Sequence, residues 1–352
     1  MLGSRSNGQP DMTTIRLALL GYGSVGKAFI RLLQVKTDEL TRRYELGWLI
    51  TGVASRRLGW ISDPAELEPA ALGAHASAAP LAGWDAEGVH AWLESARPDV
   101  LVEMTSLNPH TGQPAIAYLR AALEHGIHAV TANKGPVVHG FAELEALARA
   151  RGKRFLFESS VMDGAPIFSL FRETLPASRL VSFRGVLNST TNFILTQMED
   201  GRSFSDAVAE AQQIGIAETD PSADIDGWDA AVKVAALSRV LMGIPLEPDQ
   251  IDRQGIRGLT GEAVRAARRD AQPFKLVCRA ERDGEGIRAS IRPERVPLSD
   301  PLASVHGTSS IVHFELDTLP GLTIIEHNPG PETTAYGLLA DMIRATKGSL
   351  SW

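Results

Sequence analysis

The sequence predicts an α/β fold, with a doubly wound parallel sheet in the N-terminal half and an α+β domain after it. Three observations carry this. Short apolar runs alternate with amphipathic helical stretches up to about Ser160. A glycine-rich turn separates the first apolar run from the first helix. Beyond Ser160 the pattern changes, with helices in succession and strand-like runs clustered late in the chain.

The elements follow in order. Ile15–Leu20 (IRLALL) is a first strand, and Ser24 to about Val35 a helix. Trp48–Ala54 is a second strand, and the Ala-, Pro- and Gly-rich stretch 59–85 is expected to be loop with a short helix. Asp99–Met104, Ile127–Thr131 and Arg154–Phe157 are three more strands, with helices at Pro114–Glu124 and Phe141–Arg151 between them. Strands that are apolar throughout, joined by amphipathic helices, mean a parallel sheet covered on both faces. Gly164–Leu175 is then a helix, Leu180–Leu187 a strand, and Thr190–Asp200, Phe204–Ile214 and Ile225–Leu241 are helices. Strands follow at Phe274–Ala280, Gly286–Arg292, Ile311–Leu316 and Leu322–Glu326, and Thr333–Thr346 is a final helix. The expected division is a first domain over 13–158, a second over 159–331, and a C-terminal helix (332–352) that packs back on the first. Residues 1–12 are expected to be a disordered lead, with Met12 a plausible start.

The turn Gly21-Tyr22-Gly23-Ser24-Val25-Gly26 fits G-x-G-x-x-G and lies between a strand and a helix, the context of a Rossmann-type dinucleotide site. Gly21 permits the tight turn, Gly23 lets a pyrophosphate approach the backbone, and Gly26 lets helix and strand pack closely. The helix N-terminus at Ser24 and Val25 offers N–H groups to the phosphates. The second strand ends in Ala54-Ser55-Arg56-Arg57, with no acid before Asp63. Arg56 and Arg57 suit a ribose 2′-phosphate, so NADP is expected and NAD stays possible; the two arginines also fit a plain solvated loop.

Composition narrows the function classes. The chain has 352 residues and a formal charge of −7, with no long Lys/Arg run interleaved with aromatics, so no nucleic-acid partner is expected. One cysteine, Cys278, excludes an internal disulfide and a cysteine zinc cluster, and fits a reducing, cytoplasmic setting. No apolar run reaches the ~20 residues that span a bilayer, and no membrane partner is expected.

Ligands of open α/β sheets bind outside the carboxyl ends of the strands. The third strand exits into Met104-Thr105-Ser106 and the fourth into Thr131-Ala132-Asn133-Lys134-Gly135-Pro136, which puts Thr105, Ser106 and Lys134 on the rim of the glycine turn. On the helix expected over Ile225–Leu241, Asp229 and Lys233 share a stripe in otherwise apolar surroundings. An exposed pair at this spacing contributes only ~0.3 kcal/mol, and half-burying it costs more. A cleft-lining site explains the pair better than stability does, although a structural ion pair remains open. Desolvation is expected to lower the pKa of Lys233 towards neutrality. Upstream, Glu218, Asp220 and Asp224 can grip an ammonium group.

Taken together, TANKGP (131–136), LNSTTNFIL (187–195) and AETDPSADIDGWDAAVK (217–233) resemble the homoserine dehydrogenases, and the resemblance runs from about Thr14 to Thr346. That family interconverts L-homoserine and L-aspartate 4-semialdehyde with NAD(P)H, on the way to threonine and methionine. The resemblance implies that Lys233 is the general acid and Asp229 orients it and contacts substrate. It implies that Lys134 contacts the substrate oxygen and the nicotinamide side, and that Glu218 and Asp224 bind the small amino-acid substrate. It further implies a homodimer, and a monovalent cation such as sodium held by Glu158 and the carbonyls of Val161, Asp163 and Ala165.

The sequence departs from the family pattern at Met162–Ala165, at Ser189 where glycine is usual, and at Glu326–Pro331, which replaces a glycine-rich loop. With no regulatory segment after the catalytic portion, no feedback inhibition of that kind is expected. Two other readings stay open: an oxidoreductase of another amino-acid semialdehyde, and an NADP-binding regulator without turnover.

Overall fold

The computed structural model describes residues 12–72 and 86–348. The lead expected at 1–12 (except Met12), the stretch 73–85, and residues 349–352 of the expected C-terminal segment lie outside the described residues.

Six strands form the first sheet: β1 (Thr13–Leu20), β2 (Leu46–Ser55), β3 (Gly59–Ser62), β4 (Val100–Glu103), β5 (His128–Thr131) and β6 (Phe155–Leu156). Their order is β3-β2-β1-β4-β5-β6, all parallel except for β3. The central strands are buried on both faces beyond Arg16, which is why LALL and VLV read as unbroken apolar runs. On one face lie α1 (Ser24–Tyr44) and α11 (Pro331–Lys347), packed on each other. On the other lie α2 (Ala86–Ala96), α3 (Ala115–Glu124) and α5 (Phe141–Ala150). The order reverses between β1 and β4, and this switch point opens a crevice at the strands' carboxyl ends. Register brings those ends level: Leu20 pairs with Glu103, and Glu103 with Thr131.

Two short elements here differ from expectation. The stretch expected to begin a loop at 59 instead turns back as β3, antiparallel to β2, with Gly59 at φ 84° allowing the reversal. Four residues are too few for a periodic signal. α4 (Lys134–His139) forms across Gly135-Pro136 because the Asn133 side chain accepts the Gly135 N–H, and a first-turn proline needs no N–H partner.

The second sheet runs β12-β11-β7-β9-β10-β8, built from β7 (Leu180–Val186), β8 (Asp252–Arg253), β9 (Phe274–Asp283), β10 (Gly286–Arg295), β11 (Ser310–Leu316) and β12 (Leu322–Glu326). Its pairs are antiparallel apart from the short β8–β10 contact. α6 (Ser189–Glu199) packs on this sheet, with α7 (Phe204–Gln213) outside it. α9 (Trp228–Leu237) and α10 (Gly261–Arg269) also lie on the sheet. The expected helix Ile225–Leu241 is broken into α8 (Ser222–Ile225), α9 and a π-turn at Ser238–Met242. Gly227 makes the first break, with φ 81°. The expected helix Gly164–Leu175 shortens mainly to a π-turn at Leu170–Thr174.

Candidate active site

The three glycines of the turn serve different ends. Gly21 sits at φ 108°, and a Cβ there would lie 2.5 Å from the Met104 carbonyl oxygen. A Cβ on Gly26 would lie 2.6 Å from the carbonyl oxygen of Gly21. Gly23, by contrast, faces open space, with nothing within 4 Å of an added Cβ. Protein packing therefore requires the first and third glycines, and the second leaves ground for a ligand. No side chain caps α1 at Gly23, so first-turn amides at Ser24, Val25 and Gly26 have no intrahelical acceptor and suit a phosphate. Arg56 and Arg57 lie exposed in the turn after β2, while the Ser55 hydroxyl accepts the Leu58 N–H at 3.1 Å.

The rim beyond β4 and β5 is held by a residue the sequence reading passed over. Glu103, fully buried, accepts the Thr105 N–H at 2.7 Å and the hydroxyls of Thr105 and Thr131. Asn133 donates to the Thr105 and Ser106 carbonyls at 3.3 and 3.5 Å, and its own N–H reaches Thr131 Oγ1 at 2.9 Å. This fixes Thr105, Ser106 and the start of α4, where Lys134 stands. A glutamate ending an apolar strand was the available signal.

Lys134 reaches across to the second domain. Its Nζ lies 3.2 Å from Asp229 Oδ1, and Lys233 Nζ lies 3.5 Å from Asp229 Oδ2. Lys233 also donates to the Leu187 carbonyl at 2.6 Å. Asn188 ties in Asp224, donating to Asp224 Oδ1 at 2.6 Å and to Asp229 Oδ2 at 3.0 Å. Its own Oδ1 is fixed by Thr191 N–H at 2.8 Å. The structure thus gathers Lys134, Asp229, Lys233 and Asp224, with Asn188 an unforeseen link. Glu218 is exposed in the α7–α8 loop, where its backbone carbonyl accepts from Gln212, and it is not part of this cluster.

Electrostatics here differ from expectation. Burial does oppose the charge of Lys233, but Asp229, Asp163 and Asp224 outweigh it, and its pKa is raised rather than lowered. Burial likewise opposes ionisation of Asp229, but Lys134, Lys233 and the Asn188 donor hold it well below the usual carboxylate range. Asp224 is pushed up by burial and by repulsion from Asp229. The cluster is a buried carboxylate between two ammonium groups, arranged to keep Lys233 charged.

The loop expected to hold a cation looks inward. Glu158 accepts the Phe168 and Ser169 N–H groups at 2.6 and 2.9 Å, and Arg344 lies 3.4 Å from it. The Ala165 carbonyl accepts the Ile167 N–H at 2.9 Å. Asp163 is left-handed at φ 40°, and its carboxylate takes the Thr334 hydroxyl instead of capping the next helix. Its carbonyl faces α11, where a Cβ on Gly337 would lie 2.7 Å away. Of the four expected ligands, Glu158 thus has its charge met by Arg344, and Glu158 and the Ala165 carbonyl already accept backbone N–H groups. Among the described residues no group of three or more His, Cys, Asp or Glu is placed to hold a metal ion. Glu326, on the altered loop, accepts the Gly164 N–H at 3.2 Å, and burial and then Asp163 push it up to about 7.

Comparison with known proteins accounts for nearly the whole chain. Residues 21–158 match the family described as "Homoserine dehydrogenase, NAD binding domain", and residues 166–343 the family described as "Homoserine dehydrogenase". The NAD(+)-dependent homoserine dehydrogenase of Pseudomonas canavaninivorans is 36% identical over 340 residues, covering 94% of this chain and 96% of that protein. The homoserine dehydrogenase of Sulfurisphaera tokodaii is 34% identical over 332 residues, covering 94% of this chain and 98% of its own. The crystal structure of the Thiobacillus denitrificans homoserine dehydrogenase superposes with a TM-score of 0.79 at 32% identity, covering 96% of this chain and 74% of that one.

Proposed function

The chain belongs to the homoserine dehydrogenase family, and from that premise we propose how its residues divide the work. It is an NAD(P)-dependent oxidoreductase that interconverts L-homoserine and L-aspartate 4-semialdehyde, a step of threonine and methionine biosynthesis. The nicotinamide, when bound at the glycine turn, supplies or accepts the hydride. Lys233 holds a proton ready for the alkoxide oxygen that forms as the aldehyde is reduced, and takes it back in the reverse direction. Lys134, on the opposite wall, adds a second positive charge where negative charge grows. Asp229 holds both ammonium groups in place and keeps Lys233 charged. Asp224 and the more exposed Glu218 face the α-ammonium of the substrate. The observation that carries this reading is the Lys134–Asp229–Lys233 bridge, which joins the strand-end rim of one domain to a buried helix of the other.

Arg56 and Arg57, with no acid before Asp63, support NADP as the preferred cofactor, although the Pseudomonas relative is named for NAD(+). Replacing both arginines by alanine is expected to raise KM for NADP by at least ~tenfold and leave KM for NAD within about twofold. Measuring homoserine oxidation with each cofactor checks this; equal changes for both would remove the assignment. No step is assigned to a monovalent cation; Glu158 and the Ala165 carbonyl already accept backbone N–H groups. Family likeness and the partly exposed face of the second sheet, including Ile325 on its edge strand, support a homodimer. A cytoplasmic setting is supported by the single, buried cysteine. Among the described residues no helix is long and apolar enough to cross a membrane.

A further inference from the structure

Glu103 occupies an unusual electrostatic position. It is 0% exposed at the end of β4, and its carboxylate meets the Thr105 N–H and the Thr105 and Thr131 hydroxyls. Thr131 Oγ1 already accepts the Asn133 N–H, so its own hydrogen is free for Glu103. Of these the Thr105 N–H can only donate, and at 2.7 Å it calls for an acceptor, which a carboxylate oxygen is. Among the described residues no Lys, Arg or His pairs with it. An uncompensated buried acid is costly, and burial does push Glu103 up against the pull of its donors.

Its place in the sheet explains what the cost can serve. Glu103 pairs in register with Leu20, which precedes the glycine turn, and with Thr131, which leads to Lys134. It therefore lies beneath the crevice, between the dinucleotide turn and the reacting rim. Oxidised nicotinamide carries a positive ring and the reduced form a neutral one, while their pyrophosphates are alike. From this placement we infer that Glu103 is a positioning residue that also selects for the oxidised cofactor, through the attraction of its buried charge for the positive ring. A charge in a low-dielectric site acts over the width of a strand pair, and among the described residues no cation pairs with it. The inference rests on the reading above that the nicotinamide lies in this crevice.

Direct binding, without turnover, tests it. Wild type and Glu103→Gln are titrated with oxidised and with reduced cofactor at one ionic strength, following fluorescence quenching. The preference for the oxidised form is expected to fall by about tenfold in Glu103→Gln. Thr131→Val removes a donor and keeps the charge; it is expected to weaken both forms alike. If Glu103→Gln does not fold, Glu103→Ala, in which water can meet the freed donors, carries the same expectation. Equal weakening of both forms in the charge-removing variant means a purely structural role and overturns the inference. If the wild type binds neither form, the cofactor reading itself falls; if both bind and the preference is unmoved, only the role of Glu103 falls.

Discussion

Two lysines of the second domain are both opposed by burial, yet their pKa values shift in opposite directions. Lys275, on β9, is fully buried and donates to Asn192 Oδ1 at 3.0 Å and to the Val305 carbonyl at 2.6 Å. Burial drives it down to about 8, with Glu199 pulling back and Arg268 pushing the same way as burial. Burial also opposes the charge of Lys233, on α9, but Asp229, Asp163 and Asp224 turn the net shift upward. Burial alone does not decide the charge of an amine. What decides it is how far carboxylates offset burial: Glu199 does so only in part for Lys275, whereas three aspartates hold Lys233 as an ammonium, the form its proposed role needs. Lys275 is instead a strut: through Asn192, which donates to the Gly307 and Ser309 carbonyls, it holds the loop into β11.

Lys233→Met is expected to cut turnover by at least ~10³-fold while cofactor still binds. Lys275→Met is expected to keep kcat within about twofold and lose about 2–4 kcal/mol of stability, because Asn192 Oδ1 and the Val305 carbonyl are left buried and unpaired. Steady-state rates and urea unfolding check both, and the opposite pattern would abolish the distinction. A smaller effect sharpens it. In Asp229→Asn the main support of the Lys233 charge is gone, so burial gains weight and the proton leaves at lower pH. The alkaline limb of kcat is expected to move down by at least about one pH unit. An unmoved limb would mean that Asp229 does not control Lys233.

The smallest expected effect carries the comparison into the first domain. His128 is pushed down to about 4 by burial, then by Lys153 and Arg154. Its unfolded counterpart titrates near ~6.5. The unfolded chain therefore takes up the proton first, and stability held above ~6.5 is lost as pH falls towards about 4. Because the ring is only half-buried, about 1–2 kcal/mol is expected, and His128→Asn should flatten that slope in denaturant melts across the same range. An unchanged slope would show that burial does not govern this base as it governs Lys275.

The parts of the fold legible in the sequence were those with long signals. The first sheet's central strands are apolar because both faces are covered, and the glycine turn is recognisable because Gly21 and Gly26 have no room for a side chain. β3 and β8 were missed because they are too short to show a period, and α10 because its sequence, GEAVRAARR, offers only one apolar residue larger than alanine, Val264, to mark an apolar face. In the site, Asp229 and Lys233 could be paired from their i,i+4 spacing. Asn188, Glu103 and the tie to Lys134 could not, since each joins elements far apart in the chain.

The sequence by itself determined the two-domain plan, the dinucleotide turn and the shared stripe of Asp229 and Lys233, because local periodicity and backbone sterics act between near neighbours. Only the tertiary structure decided the sign of the Lys233 shift, the inward use of Glu158 and the bridge to Lys134. Charges interact through space, and which of them come within a few ångströms is set by how the two sheets and α11 pack.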